Sequence, residues 1–255
     1  MDLGLEGLAV FVTGASGGIG QALVAAFAAE GARVVACSRS GVEESERVAS
    51  VRADVRHEGA LAAALGEGVR RFGRVDVAVA NAGIWPEAAL GFDRMPEARV
   101  RRVVDVNLLG AMWTARVFLA SLRAAGARDD GRGASLCFIG STAGRFGEPG
   151  HAEYAATKAA LVGLTRSLKN EIVKIDPRGR VNLVEPGWTV TPMAAETLAR
   201  DGVTDRVTKT MPLRQLATPE DVARAVVVLA SPAAARHLSG ESLLVAGGME
   251  GRLLW

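Results

Sequence analysis

The sequence predicts an α/β fold built on a doubly wound, seven-stranded parallel sheet with helices on both faces. Three observations lead there. Short apolar runs alternate with longer segments of helical period, the apolar runs carry no polar face, and the first of them enters a glycine-rich turn directly. Strands apolar on both sides belong to a parallel sheet covered above and below. Crossovers of helical length are right-handed and wind such a sheet outward in both directions.

In chain order, strands are predicted at 8–13, 33–37, 50–53, 75–80, 135–140, 180–185 and 242–246. Each is short, β-branched or apolar, and mostly bounded by Gly, Asp, Asn or Pro. Helices are predicted between them at 18–30, 58–72, 97–124, 152–174 and 219–229. The stretch 188–218 breaks the alternation: it is long, mixed in polarity, interrupted by Pro192, Gly202 and Pro212, and shows no clear strand. After a strand's carboxyl end such an excursion reads as a lid or binding loop. Residues 129–133 are only a loop tip, no internal repeat is visible, and residues 1–255 read as one domain.

Composition narrows the function classes. The 255 residues are 49% hydrophobic and 23% charged, with a net charge of +2 spread over interleaved acids and bases. Nothing resembles a nucleic-acid stripe. No apolar stretch is read as reaching the roughly 18 residues of a membrane helix. The first residues show no secretory signal, so a cytoplasmic location is expected. Cys37 and Cys137 lie inside apolar runs and read as strand-core thiols of a reducing compartment rather than as a disulfide or metal pair. No metal site is expected.

The run Leu8–Thr13 leads into Gly14-Ala15-Ser16-Gly17-Gly18-Ile19-Gly20, where a helix begins. Strand, glycine turn and helix in that order are what a pyrophosphate site requires. The glycines let the backbone approach the ligand, and the helix amino end offers free N–H groups and a positive dipole. Further along, Asn81-Ala82-Gly83 follows the fourth strand, Asn107 sits in the long helix, and Ser141 follows the fifth strand. Tyr154 and Lys158 open the next helix, Pro186-Gly187 follows the sixth strand, and Gly247-Gly248 closes the seventh. With the spacing Thr-Gly-x-x-x-Gly-x-Gly, these segments resemble the short-chain dehydrogenase/reductase family over almost the whole chain. The likeness is to its 3-oxoacyl-acyl-carrier-protein reductase-like and ketoreductase members. It implies a Rossmann-like sheet and a soluble nicotinamide-dependent oxidoreductase.

The resemblance assigns cofactor contacts to Gly14, Ser16, Gly18, Ile19 and Gly20 at the turn, to Asp54 and Val55 at the adenine, and to Asn81, Ala82 and Gly83 near the adenosine ribose. Pro186, Gly187, Thr189 and Thr191 would grip the nicotinamide. Asp54 and Val55 also read as a strand-end turn, and Asn81 as a cap. The acid that grips an unphosphorylated ribose belongs about 20 residues past the glycines. Ser38 and Arg39 stand there instead, and a guanidinium binds a 2′-phosphate with paired donors. NADP(H) is therefore expected, with NAD(H) left open because Glu43, Glu44 and Glu46 are near and Arg39 also reads as a solvated loop residue.

Tyr154 and Lys158 lie four apart, on one helix face and about 6 Å apart along the axis. Free tyrosine ionises near pH 10. An ammonium beside it, with the positive ring of an oxidised nicotinamide, is expected to pull that value down and make Tyr154 a general acid/base. Ser141 would polarise the substrate oxygen; it also reads as a helix cap. Asn107 would hold a water that relays protons to Lys158, or serve structure alone, since Asn in an apolar helix needs a partner. A nucleophilic serine is set aside, because His57, His151 and His237 lie in loops or helix ends and the glycine pattern is not a nucleophile elbow.

By position, Trp85, Phe146, His151, Trp188 and Met193 are expected to line a pocket for a moderately bulky, mainly apolar ketone or β-ketoacyl compound. Intact Ser141, Tyr154 and Lys158 weigh against a non-catalytic nucleotide-binding regulator. An extended epimerase needs more than the roughly seventy residues after Gly187. The apolar circumference of 97–124 and the small residues Ala155, Ala156, Ala159, Ala160 and Gly163 suggest subunit association. A homotetramer is expected first and a dimer second, with the tail Leu253-Leu254-Trp255 at the interface.

Overall fold

A computed structural model describes residues 2–86 and 88–250. The strands are β1 Ala9–Thr13, β2 Arg33–Ser38, β3 Val48–Arg52, β4 Val77–Ala80, β5 Ser135–Ile139, β6 Arg180–Pro186 and β7 Ser242–Val245. Among the described residues they form one sheet in the order β3-β2-β1-β4-β5-β6-β7, parallel at every pairing. Alternate side chains of β1 serve opposite layers. Phe11 packs with Phe118, Leu122, Phe138 and Leu161. Val10 and Val12 pack with Leu23, Phe27, Val222 and Val226.

The helices are α1 Gly18–Ala29, α2 Glu58–Phe72, α3 Glu97–Val103, α4 Gly110–Ala125, α5 Thr142–Phe146, α6 Ala152–Ile172, α7 Pro192–Leu198, α8 Val203–Thr208 and α9 Pro219–Ala230. Helices α1 and α9 cover one face, while α2, α4 and α6 cover the other. From β1 the chain moves outward through β2 and β3, then returns to β4 on the other side. The strands' carboxyl ends part at this reversal and leave the crevice where ligands of open α/β sheets bind.

Two expectations need correction. The predicted uniform helix 97–124 is interrupted: Val104–Leu109 is a π-helical segment between α3 and α4. A wide turn of this kind frees backbone geometry at a functional position, and Asn107 lies in it. The continuous helical run Glu97–Ala125 is also long and apolar enough, by length and composition, to cross a membrane. Its apolarity has a local use, because Val103, Ala111, Ala115, Phe118 and Leu122 are buried in the core.

The excursion 188–218 contains α7 and α8, which were not foreseen. A single bridge, Thr189 to Ala217, joins its two ends. Val190 N–H donates to Ala217 O at 2.9 Å, and Ala217 N–H donates to Trp188 O at 3.0 Å. The tail 253–255, expected at an interface, lies outside the described residues.

Candidate active site

The glycine turn is built for close approach. Gly14 has φ +68, and a side-chain carbon there would lie 2.7 Å from Ala82 Cα. At Gly20 such a carbon would lie 2.1 Å from Gly14 O, so neither position accepts a side chain. Gly17 caps α1 without any side-chain bond, which leaves the first-turn N–H groups open to an anion. Asn81 holds the turn in place. Its N–H donates to Thr13 Oγ1 at 3.2 Å, and its Nδ2 donates to Thr13 O at 2.9 Å and Gly14 O at 3.2 Å. This cradle fits the pyrophosphate of a dinucleotide.

From it a cavity of about 540 Å³ runs to Ser141 and Tyr154. All the predicted cofactor residues border it: the glycine turn with Ser16 and Ile19, Ser38, Arg39, Asp54, Val55, Asn81, Ala82, Gly83, Pro186, Gly187, Thr189 and Thr191. Its volume lies within the ordinary range for ligand sites.

At the adenosine end, Ser38 Oγ accepts Gly41 N–H at 3.0 Å. Arg39 is exposed at the cavity edge, and no described residue bonds or pairs with its side chain. Of the nearby acids, Glu44 accepts Ser50 N–H at 2.9 Å and pairs with Arg71 at 3.4 Å. Asp54 is clamped by Arg56, whose Nε reaches both carboxylate oxygens at 3.1 and 3.0 Å. Hydrogen bonding from Arg56 holds the Asp54 pKa down at about 2. Arg56 and Arg102 also border the cavity and were missed, because neither lies in a motif.

At the other end α6 presents Tyr154 and Lys158. Lys158 Nζ lies 5.7 Å from the centre of the phenol ring and donates to Ile139 O at 2.8 Å. Asn107 does not border the cavity. Its Oδ1 accepts Ile84 N–H at 2.8 Å and its Nδ2 donates to Ile84 O at 3.0 Å, clipping the backbone beside Trp85. Gly83 lies beside both groups: a side-chain carbon there would be in ordinary contact with Lys158 Nζ at 3.4 Å and Asn107 Oδ1 at 3.5 Å. Ser141 caps α5, its hydroxyl accepting Ala143 N–H at 3.1 Å, and its hydrogen bonding to Tyr154 lowers the phenol's pKa.

The electrostatics differ from the sequence expectation. Burial pushes the Tyr154 phenol up to about 12, against the lowering effect of Ser141 and with a further rise from the charge of Glu148. Burial pushes Lys158 down to about 8. Desolvation by burial is the largest effect on both groups. Without a cofactor ring above it, Tyr154 keeps its proton at neutral pH.

Trp85 organises the substrate end. It stacks on His151 at 3.9 Å, meets Tyr154 edge-on at 4.7 Å and approaches Trp188 at 6.1 Å. Trp85, Trp188 and Met193 border the cavity as expected; Phe146 and His151 do not. Gly144 presses α5 against α6, 2.7 Å from Ala159 N when given a side-chain carbon. Phe146, two residues on, is turned to the opposite side of the helix and is 41% exposed. His151 is buried behind Trp85, with Nε2 2.8 Å from Pro86 O. Glu148, bordering the cavity between these two, was not foreseen. Glu185, just before Pro186, is buried and accepts from Arg145 Nε at 3.1 Å.

The family described as Enoyl-(Acyl carrier protein) reductase matches residues 14–250. The 3-oxoacyl-[acyl-carrier-protein] reductase of Vibrio cholerae is 34% identical over 97% of this chain and 99% of its own length. The chain belongs to the short-chain dehydrogenase/reductase family. An uncharacterized short-chain type dehydrogenase/reductase of Sinorhizobium fredii is 39% identical over 95% of this chain, which spans only 43% of that protein. Among solved structures, the 3-ketoacyl-(acyl-carrier-protein) reductase of Brucella melitensis complexed with NADH superposes with a TM-score of 0.85. It is 29% identical, and the match covers 96% of this chain and 98% of that one. This short-chain dehydrogenase/reductase thus shares its whole architecture with ketoreductases.

Proposed function

We propose that this short-chain dehydrogenase/reductase interconverts a carbonyl compound and its secondary alcohol with NADP(H), acting on a moderately bulky ketone or β-ketoacyl compound. One observation carries the reading: a proton-bearing Tyr154, bonded to Ser141 and flanked by Lys158, closes the same cavity that opens on the glycine cradle. A nicotinamide dinucleotide, when bound, supplies or accepts the hydride. Ser141 and Tyr154 hold the substrate oxygen, and Tyr154 gives it the proton as hydride arrives at carbon. Lys158 stabilises the phenolate left behind until a proton returns to it, and Asn107 keeps the Ile84 backbone in place beside it. Gly187, Thr189 and Thr191, which border the cavity, would fix the carboxamide. The ketoreductase relatives, one of them solved with NADH, support this class of reaction.

The preference for the 2′-phosphorylated nucleotide rests on Ser38 and Arg39, and on Glu44 being engaged with Ser50 and Arg71. Subunit association rests on two apolar faces. On α6, Ala156, Ala159, Ala160 and Gly163 are exposed. On the far edge, Val228, Leu238 and Leu243 are each at least 40% exposed. Two distinct faces suit a homotetramer with perpendicular two-folds. Two buried thiols suit a reducing, cytoplasmic setting.

A panel of ketones and aldehydes, run with both reduced cofactors, tests the function. Tyr154→Phe is expected to lower kcat by about a thousandfold or more while leaving nucleotide affinity within about twofold, as loss of a transition-state proton donor requires. Nucleotide binding with no carbonyl-dependent oxidation above that variant would instead make the protein a regulator.

A further inference from the structure

The substrate end of the cavity holds an acid for which the proposed reaction has no use. Glu148 lies between α5 and α6, borders the cavity and is half-buried. Its backbone carbonyl accepts His151 N–H at 3.0 Å. Its carboxylate accepts no hydrogen bond and joins no ion pair among the described residues. Two cations near it in the chain or the fold are committed elsewhere: Arg145 pairs with Glu185, and Arg99, which also reaches Gly150 O, pairs with Glu153 at 2.7 Å. Its charge reaches the Tyr154 phenol, which places it within electrostatic range of the reacting oxygen. Burial pushes its own pKa upward. Trp85 and Trp188 border the same cavity, their rings 6.1 Å apart.

A half-buried carboxylate without donors costs free energy that a ligand's donor would recover. It also repels any anion brought beside it. We propose that Glu148 is a specificity-determining residue: the substrate carries an O–H or N–H donor, as a hydroxyl or protonated amine, within a few bonds of the reacting carbon. Carbonyl compounds with a carboxylate at that place are turned away. The aromatic walls accept the carbon face of either donor-bearing ligand, and an ammonium gains from the ring faces as well. This rests on the reductase reading, and the test separates the two.

Four phenyl ketones that differ only beside the carbonyl serve as probes: acetophenone, 2-hydroxyacetophenone, 2-aminoacetophenone and benzoylformate. Each is followed in the full chain with NADPH by turnover and by quenching of tryptophan fluorescence, which Trp85 and Trp188 make sensitive to occupancy. The decisive quantity is the change in selectivity on substitution, because the four carbonyls differ in intrinsic reactivity. In Glu148→Ala the preference for the hydroxy and amino ketones over acetophenone falls at least tenfold, and that for benzoylformate rises at least tenfold. In the isosteric Glu148→Gln both keep part of their advantage, since an amide oxygen still accepts, and the amino ketone loses the larger share because its charge partner is gone.

Selectivity that neither substitution changes, in turnover or in quenching, overturns the role of Glu148. Turnover that is lost in Tyr154→Phe but insensitive to Glu148 leaves the reductase reading standing alone. Quenching with the predicted selectivity, but without turnover, keeps the Glu148 assignment and removes the reaction. No response to any probe in either readout overturns both.

Discussion

Lys158 is an amine buried without a carboxylate beside it. Its pKa is pushed down to about 8 from an ordinary 10.5, so below pH 8 the folded protein bears the full cost of a desolvated ammonium. Between about 8 and 10.5 the unfolded chain still holds a proton that the folded one has released, and stability rises with pH. Tyr154 acts oppositely: raised to about 12 from 10, it loses stability above pH 10. Wild type is therefore expected to gain on the order of 2 kcal/mol over Lys158→Met between pH 7 and 10. Chemical denaturation of both proteins at the two pH values measures the gain, and a constant difference would contradict it.

Arg39 offers a second check at this scale. Arg39→Ala should weaken NADPH at least tenfold more than NADH in fluorescence titrations; equal losses would remove the phosphate role. Motif residues such as Ser141 and Tyr154 were legible in the sequence because their order along strand ends is itself a pattern. Glu148 was missed and His151 was misplaced, since nothing in a loop's spacing says which side chain faces inward.

Among the elements, the strands were legible to within a residue or two because each is apolar on both sides. Short helices were not. Five to seven residues in α5, α7 and α8 span fewer than two turns, too few to display a helical period. The π-helical segment around Asn107 was equally hidden, as one wide turn barely shifts the apolar pattern of a long helix.

The placement of α5 depends on the pair between Arg145 and Glu185, which ties the segment following Ser141 to the end of β6. Glu185 is buried, but the Arg145 side chain is 41% exposed and would turn to water if left alone. Glu185→Ala should thus cost about 1–2 kcal/mol, less than a fully buried pair. Adding Arg145→Ala should cost little more. Urea unfolding of the two singles and the double reads this coupling, and strict additivity would show the pair to be idle.

For the whole molecule, a doubly wound parallel sheet was legible from alternation and handedness, whereas the strand order, and with it the reversal at β1 and β4 that opens the site, came from the structure. Assembly is less legible in one chain, because exposed small residues look the same whether or not a partner covers them. The α6 face allows two backbones to approach closely, so a long charged side chain in its middle should keep them apart. Ala160→Glu is expected to convert tetramers at micromolar concentration into dimers held by the β7 edge, as light scattering would record. An unchanged mass would place the contact elsewhere.

The bridge between Thr189 and Ala217 has a kinetic consequence. Both feet of the excursion are stitched to one seam, and Thr191 rests so near Gly18 that a side-chain carbon there would lie 3.0 Å from it. The later part of the excursion is anchored as well, by Leu213 N–H donating to Gly247 O at 3.1 Å and by buried Met211. Its first part, beside the phosphate cradle and carrying Met193 at the substrate mouth, is therefore the stretch both guests must pass. Their comings and goings are then expected to form a queue, with the dinucleotide first in and last out.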